Sequence, residues 1–265
     1  MAWPVTIFAD EADPAFAGQA EYVRTRCLDG VDVRNANGRN VLDLTDEDIA
    51  EILASGVRVQ SVGSPVNKVA LDPLLAEGEF VKFERAVLMA VRLKTDRIRI
   101  FTPEPRKGTD DWELVKSWLR PMVDLATKHD LIVLHENDWF FYGAYPVNAQ
   151  RIFSEFGGPH FRAAFDFANS VLVSSRAMRD WFPWLLPHLD TLHIKDFVES
   201  ESRVVPAGEG DGQIQETLEY LAGAGWKGTL TLEPHLAVAG KMGGFSGPEN
   251  CDRALLALEG MMEKL

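Results

Sequence analysis

The segment LIVLHENDWFFYG at residues 131–143 decides how the chain is read: four apolar residues lead into His135-Glu136, and an aromatic stretch follows. The same cadence of an apolar run ending on a metal-capable side chain recurs three times, as AAFD ending on Asp166, DTLH ending on His193 and LTLE ending on Glu233. Working outward, short β-rich runs alternate with longer helical patterns about eight times, which marks a parallel sheet built from βα units. The strands fall at Thr6–Ala12, Gly30–Asn35, Val57–Gly63, Arg97–Thr102, Leu131–Glu136, Phe161–Phe167, Thr191–Lys195 and Gly228–Glu233. Apolar residues spaced by three and four place helices at Asp46–Ala54, Phe80–Leu93, Asp111–Lys128, Ile214–Ala224 and Cys251–Lys264. Thr45-Asp46-Glu47-Asp48 carries a capping signal, and Gly223 and Gly225 punctuate the end of the helix before the last strand. No GxGxxG or GxxxxGK[ST] follows the first strand, so a (β/α)8 TIM barrel is favoured over an open doubly wound sheet.

Length and composition agree with one barrel. The 265 residues, 46% hydrophobic and 25% charged, contain no linker or low-complexity run, so residues 1–265 read as a single domain. A formal charge of -13 disfavours nucleic acid and anionic membranes as partners. The N-terminus lacks a basic leader, and no apolar run approaches the ~20 residues that span a bilayer. Cys27 and Cys251 stand far apart without a CxxC, as in reduced cytoplasmic proteins, and a cytoplasmic location is expected.

In a barrel, functional groups gather at the C-terminal ends of the strands. Glu136, Asp166, His193 and Glu233 then converge at one mouth. Three carboxylates and one imidazole suit Mn²⁺ or Mg²⁺ first, with Co²⁺ and Zn²⁺ also compatible. Without a cation the carboxylates repel one another, and at least one is pushed toward protonation. Taken singly, each would read equally well as a solvated or helix-capping strand end.

The motifs HEN at 135–137, FDFAN at 165–169, HIKD at 193–196, PAGEGDG at 206–212 and LEPHL at 232–236 resemble the xylose-isomerase-like sugar phosphate isomerase/epimerase superfamily. VDVRNANGRNVLDLTDEDIAEI at 31–52 and SVGSPVNK at 61–68 extend the resemblance into the first half. It implies a divalent metal held by the four residues, with Glu136 and Glu233 as a metal-bound acid/base pair acting on a keto-sugar or polyol through an enediolate. Return of the proton to the opposite face gives epimerisation, to the neighbouring carbon isomerisation, and loss of a β-hydroxyl dehydration. Where ketose 3-epimerases carry a histidine three residues after the Asp ligand, this chain has Asn169, and it has Glu199 where they have an arginine. That shifts weight toward a keto-inositol or keto-sugar-acid substrate, and a metal-dependent dehydratase of a keto-polyol such as an inosose is the alternative.

Further candidates surround this set. Lys195 shares a strand face with His193 and either meets substrate or pairs with Asp196 or Glu209. Arg34, Ser64 and Lys68, at the second and third strand ends, are candidates for substrate oxygens or for rim ion pairs. His135 must face away from Glu136 and reads as structural. His235 lies in the last βα loop as a substrate contact, and Asn137 and Asn169 offer amides to hydroxyls or to the ligands. Trp139, Phe140, Phe141 and Tyr142 form a wall, a lid or a subunit contact. GEGDG at 208–212, carrying its own acids, reads as a structural turn. An AP-endonuclease-like activity needs a His-rich cluster that six histidines do not supply, and a non-enzymatic barrel subunit is disfavoured by the intact ligand set. A homo-oligomer is compatible with the sequence, which marks no interface.

Overall fold

The computed structural model describes residues 3–236 and 246–265. Eight parallel strands close into a barrel: β1 (Val5–Ile7), β2 (Gly30–Val33), β3 (Val59–Gly63), β4 (Arg97–Ile100), β5 (Ile132–Glu136), β6 (Phe161–Asp166), β7 (Leu189–Ile194) and β8 (Thr229–Leu232), with β8 pairing back onto β1. Around them lie α1 (Phe16–Thr25), α2 (Asp46–Ala54), α3 (Ala76–Leu93), α4 (Trp112–Lys128), α5 (Pro146–Phe156), α6 (Phe167–Leu172), α7 (Phe182–Leu185), α8 (Ile214–Gly223) and α9 (Pro248–Met262). This is a (β/α)8 TIM barrel.

Local chemistry sets the boundaries. Thr45 Oγ1 accepts from Asp48 N while the Asp48 carboxylate accepts from Thr45 N, the reciprocal cap anticipated at the start of α2. The last helix starts earlier than its apolar spacing predicts, because Gly247 at φ 82 turns the chain and Pro248 opens the first turn with its φ already helical. The first strand is shorter than predicted. It ends at Ile7, and Ala9–Glu11 form a 3-10 turn, so Asp10 and Glu11 stand at the barrel mouth instead of within the strand.

Two small hairpins interrupt the βα rhythm, and neither was anticipated. Asn35–Ala36 pairs with Arg39–Asn40 across Asn37 and Gly38, both at positive φ, as a two-residue Asn-Gly turn requires. Asp196–Val198 pairs with Arg203–Val205 directly beyond β7, where Phe197 and Val204 pack on Ala168 and Val171 of α6. Among the described residues no helix is long and apolar enough to cross a membrane.

Candidate active site

Register brings the strand ends together before any side chain is considered. Asp166 is the cross-strand partner of His193, Thr231 also pairs with His193, and Glu136 pairs with Ala164 one pleat before Asp166. Glu233 lies one residue past β8 and extends its ladder, its N–H donating to Ile194 O at 3.3 Å. As a result, Glu136, Asp166, His193 and Glu233, all buried, each offer a ligand atom within 4.8 Å of the others, a group able to hold a metal ion. The donor set fits a hard divalent cation. The buried His193 Nδ1 makes no hydrogen bond, its nearest acids being Glu136 Oε2 at 3.4 Å and Glu233 Oε2 at 3.6 Å.

Basic side chains stand behind these acids. Arg99 NH1 lies 3.2 Å from Glu136, Arg34 NH1 lies 3.1 Å from Glu233, and Lys195 Nζ lies 2.7 Å from Asp166 and 3.3 Å from Glu233. Buried Phe8 organises the group from below, with the Arg34 and Arg99 guanidinium carbons each 5.0 Å from its ring centre and the His193 ring edge-on at 5.2 Å. Lys195 thus faces the ligands, and its partners are Asp166 and Glu233 and not Asp196 or Glu209.

The acids respond unequally to burial. Burial pushes Glu136 up, but the positive field of His193 and Arg99 overrides it and holds the carboxyl at about 2. Glu233 is likewise held well below its ordinary value against burial, chiefly by Lys195. Asp166 is raised to about 7 by burial, with Lys195 opposing and Glu233 and Glu136 adding to the rise. Asp166 is therefore the acid of the three that takes up a proton most readily in the absence of a metal, burial being the main cause and the neighbouring carboxylates adding to it.

The remaining predicted residues divide cleanly. Arg34, Lys68, Trp139, Asn169, Lys195 and His235 line a cavity of about 100 Å³ together with Glu136 and Glu233. Asn169 donates to Glu136 Oε1 at 3.3 Å, and its N–H donates to Asp166 Oδ1 at 2.8 Å, so Asp166 also caps α6. Asn137 does not line that cavity: its amide donates to Asp166 O at 2.9 Å and accepts from Asp166 N at 2.7 Å, fixing the ligand's backbone. Ser64 is spent on Arg99 O. His135 packs with Phe153 and Phe161 away from the mouth. In the aromatic loop Trp139 lines the cavity against Phe140, which is exposed, while Phe141 and Tyr142 are buried.

Sequence reading missed Arg99, Asp10 and Glu11. Asp10 accepts from Arg34 Nε at 2.9 Å and from Asn35 at 2.7 Å. Glu11 Oε2 accepts from His235 N at 2.7 Å and Ser246 Oγ at 2.5 Å, and Glu11 O accepts from Ser246 N and Gly247 N, so this fully buried residue ties down both ends of the described β8–α9 connection. It holds His235 at φ 49, a conformation that costs a non-glycine residue about 1 kcal/mol. His235 itself is lowered to about 3 by burial and is a neutral imidazole near pH 7.

Glu11 provides a pH signature. Burial raises its carboxyl from 4.5 to about 7, with Arg34 opposing. Because the folded value exceeds the unfolded one, its stabilising contribution is complete below 4.5 and is lost as pH rises through 7. Metal-free protein is expected to lose about 3 kcal/mol from this group between pH 4.5 and 8, and Glu11→Gln removes that component of the slope. Urea midpoints across the range check it, and parallel slopes in the two proteins would count against it.

A model of the xylose isomerase-like TIM barrel matches residues 28–254. The chain belongs to that family. Solved structures with a similar fold include the probable 3-DHS dehydratase AsbF of Bacillus anthracis, at TM-score 0.77 and 14% identity over 98% of this chain and 99% of that one. The 3-keto-D-glucoside 4-epimerase YcjR of E. coli superposes at TM-score 0.68 with 16% identity over 99% and 100% of the two chains. A xylose isomerase-like protein from Mycobacterium smegmatis, in complex with magnesium, gives TM-score 0.65 and 15% identity over 98% of each chain. No curated protein matches the sequence.

Proposed function

We propose that this barrel is a divalent-metal-dependent isomerase or epimerase of a keto-sugar or related polyol, with Glu136, Asp166, His193 and Glu233 as metal ligands and Mn²⁺ or Mg²⁺ as the ion. The observation that carries the reading is a pair of buried glutamates in one four-residue cluster, each held ionised by its own cations: Glu136 by Arg99, and Glu233 by Arg34 and Lys195. A bound cation would polarise a ketone and its neighbouring hydroxyl and so acidify the C–H between them. One of Glu136 and Glu233 would take the proton from carbon as a carboxylate and release it to water; the other, having picked up a proton from water, would deliver that proton to carbon from its own side. Asn169 and Arg99 fix the Glu136 carboxylate, Asn137 fixes the Asp166 backbone, and Trp139 closes the mouth as a wall for the sugar face.

Lys195 supports a second reading, dehydration. Its buried ammonium is kept protonated against burial by Asp166 and Glu233. A glutamate would remove the proton beside the ketone, the C–O electron pair would leave with the β-hydroxyl, and Lys195 would supply the proton that makes it water. The dehydratase among the similar structures is consistent with this, as the keto-glucoside epimerase is with the first reading.

The test is metal analysis of protein purified without chelator, followed by deuterium uptake in D2O from keto-sugars and inososes after Mn²⁺ is restored. Stoichiometric metal with deuterium at the carbon beside the ketone is the expected result, and a new enone or diketone absorbance selects dehydration. Failure to bind Mn²⁺ would overturn both readings in favour of a non-catalytic barrel.

A further inference from the structure

The four-residue cluster has a neighbour built on the same plan. Glu11, Glu233 and His235, all buried, also offer ligand atoms within 4.8 Å of one another, a second group able to hold a metal ion. In the first cluster the unpaired His193 Nδ1 faces Glu136 Oε2 at 3.4 Å and Glu233 Oε2 at 3.6 Å. In the second, His235 Nε2, also without a hydrogen bond, faces Glu11 Oε1 at 3.6 Å and Glu233 Oε1 at 3.7 Å. Glu11 Oε1 makes no hydrogen bond either, since Oε2 accepts those from His235 N and Ser246 Oγ. The Glu233 carboxylate thus turns one oxygen to each group. Buried ligand atoms left unpaired around one point cost stability unless a cation meets them.

What differs is the cation already present. Arg34 NH1 lies 3.1 Å from Glu233 Oε1 and NH2 lies 3.6 Å from Glu11 Oε1, so one guanidinium sits against both acids of the second group. Its own position is fixed from the other side: Nε and NH2 donate to the Asp10 carboxylate at 2.9 and 3.1 Å, and the guanidinium carbon stands 5.0 Å from the centre of the Phe8 ring. Lys195, by contrast, meets Asp166 and Glu233 in the four-residue cluster and leaves Glu136 and His193 to a metal. In the second group no carboxylate is left over once Arg34 is counted, and a guanidinium keeps its charge at every pH at which the protein works.

We infer that Arg34 stands in place of a second divalent ion, on a metal site formed by Glu11, Glu233 and His235, and that this barrel works with one ion for that reason. This rests on the four-residue metal site proposed above and sets its limit. A tethered guanidinium supplies positive charge to Glu233 Oε1, but it has no coordination position to offer a substrate oxygen. The ketone and its neighbouring hydroxyl then both go to the single ion. Removing the charge of Arg34 while Glu11 and His235 remain is expected to open the second site, with Glu233 bridging the two ions.

Counting metal tests this. Native mass spectrometry and calorimetry with Mn²⁺ are expected to give one ion per chain for wild type and two for Arg34→Gln, whose amide keeps a donor for Asp10 without the charge. The double variant Arg34→Gln, Glu11→Gln is expected to return to one, because Glu11 belongs to the second group alone. Electron paramagnetic resonance reads the same change independently, as isolated Mn²⁺ in wild type and a spin-coupled pair in Arg34→Gln. Should Arg34→Gln fold only with Mn²⁺, the count is made on the ion-loaded chain. Fewer than two ions in Arg34→Gln, two in wild type, or an Arg34→Gln chain that Mn²⁺ does not restore would each overturn the inference and leave the four-residue site of the wild type standing. Two ions that persist in the double variant would put the second one elsewhere and overturn it too. Wild type that binds no Mn²⁺ would overturn the functional reading and this inference with it.

Discussion

Glu233→Gln is expected to lower deuterium exchange into the true substrate by roughly 10²- to 10⁴-fold, the range over which a positioned acid or base contributes. The carboxylate of Glu233 meets Arg34 at 3.1 Å, Lys195 at 3.3 Å, His193 at 3.6 Å and His235 at 3.7 Å, so no other acid in the site faces as many of its groups. The amide is isosteric, and its loss of charge leaves Arg34 with Asp10 and Lys195 with Asp166, so the fold persists. Metal affinity falls as well, because an amide is a poorer ligand for a hard cation. Restoring Mn²⁺ to saturation separates the two effects: exchange that recovers fully marks Glu233 as a ligand only, whereas exchange that stays down marks it as acid or base. Glu136→Gln, measured beside it, is expected to show the same persistent loss. Exchange within about threefold of wild type at saturating Mn²⁺ in both variants would sink the acid/base pair.

Why these four positions were readable, and their neighbours less so, follows from strand geometry. A parallel barrel strand buried on both faces spells an apolar run, and the acid or imidazole at its C-terminal end stands at the mouth; Glu136, Asp166 and His193 obey that rule inside their strands, with His135 before Glu136 facing the other way, and Glu233 one residue beyond. Arg99 breaks it, since it lies within β4 in the sequence Arg97-Ile98-Arg99-Ile100 and reaches up past the strand end along its alkyl chain. Its signal was the alternation itself: Arg97 and Arg99 share one face, and two arginines on the inward face of a barrel strand need acids, which Asp190 supplies below and Glu136 above. Asp10 and Glu11 were hidden by an overlong first strand. Phe8 still donates to Leu232 O at 3.1 Å, so the apolar run looks continuous, but the backbone has already turned. Asn137 shows the opposite effect, for adjacency to a ligand in sequence put it on the other side of the chain, where its amide grips Asp166. The Asn-Gly hairpin at 37–38 went unread although the dipeptide itself is its signal.

Asp196→Ala is expected to destabilise the protein by about 3 kcal/mol, a fall in melting temperature of roughly 6–12 °C for a domain of this size. The carboxylate accepts from the N–H groups of Phe197 at 2.9 Å, Gly208 at 2.9 Å, Gly210 at 3.1 Å and Gly212 at 2.9 Å, so a single side chain satisfies four backbone donors, three of them in the GEGDG turn. Glycine is required there for space: a Cβ on Gly210 would collide with Asp196 Oδ1, and one on Gly212 would approach it to 2.7 Å. Acids within the turn are therefore not an obstacle to its function, because the turn wraps an internal carboxylate instead of a phosphate. Asp196→Asn keeps one accepting oxygen and is expected to lose about half as much, and Gly210→Ala to approach the alanine variant by displacing the carboxylate it would strike. The consequence reaches the active site through packing. The turn holds the Asp196–Val198 hairpin, Phe197 and Val204 of that hairpin rest on α6, and Asp166 caps α6, while Lys195 immediately precedes Asp196 in the chain. Loss of the carboxylate is thus expected to weaken Mn²⁺ binding along with stability, and a melting temperature within about 2 °C of wild type in Asp196→Ala would remove this turn from the scaffold of the site.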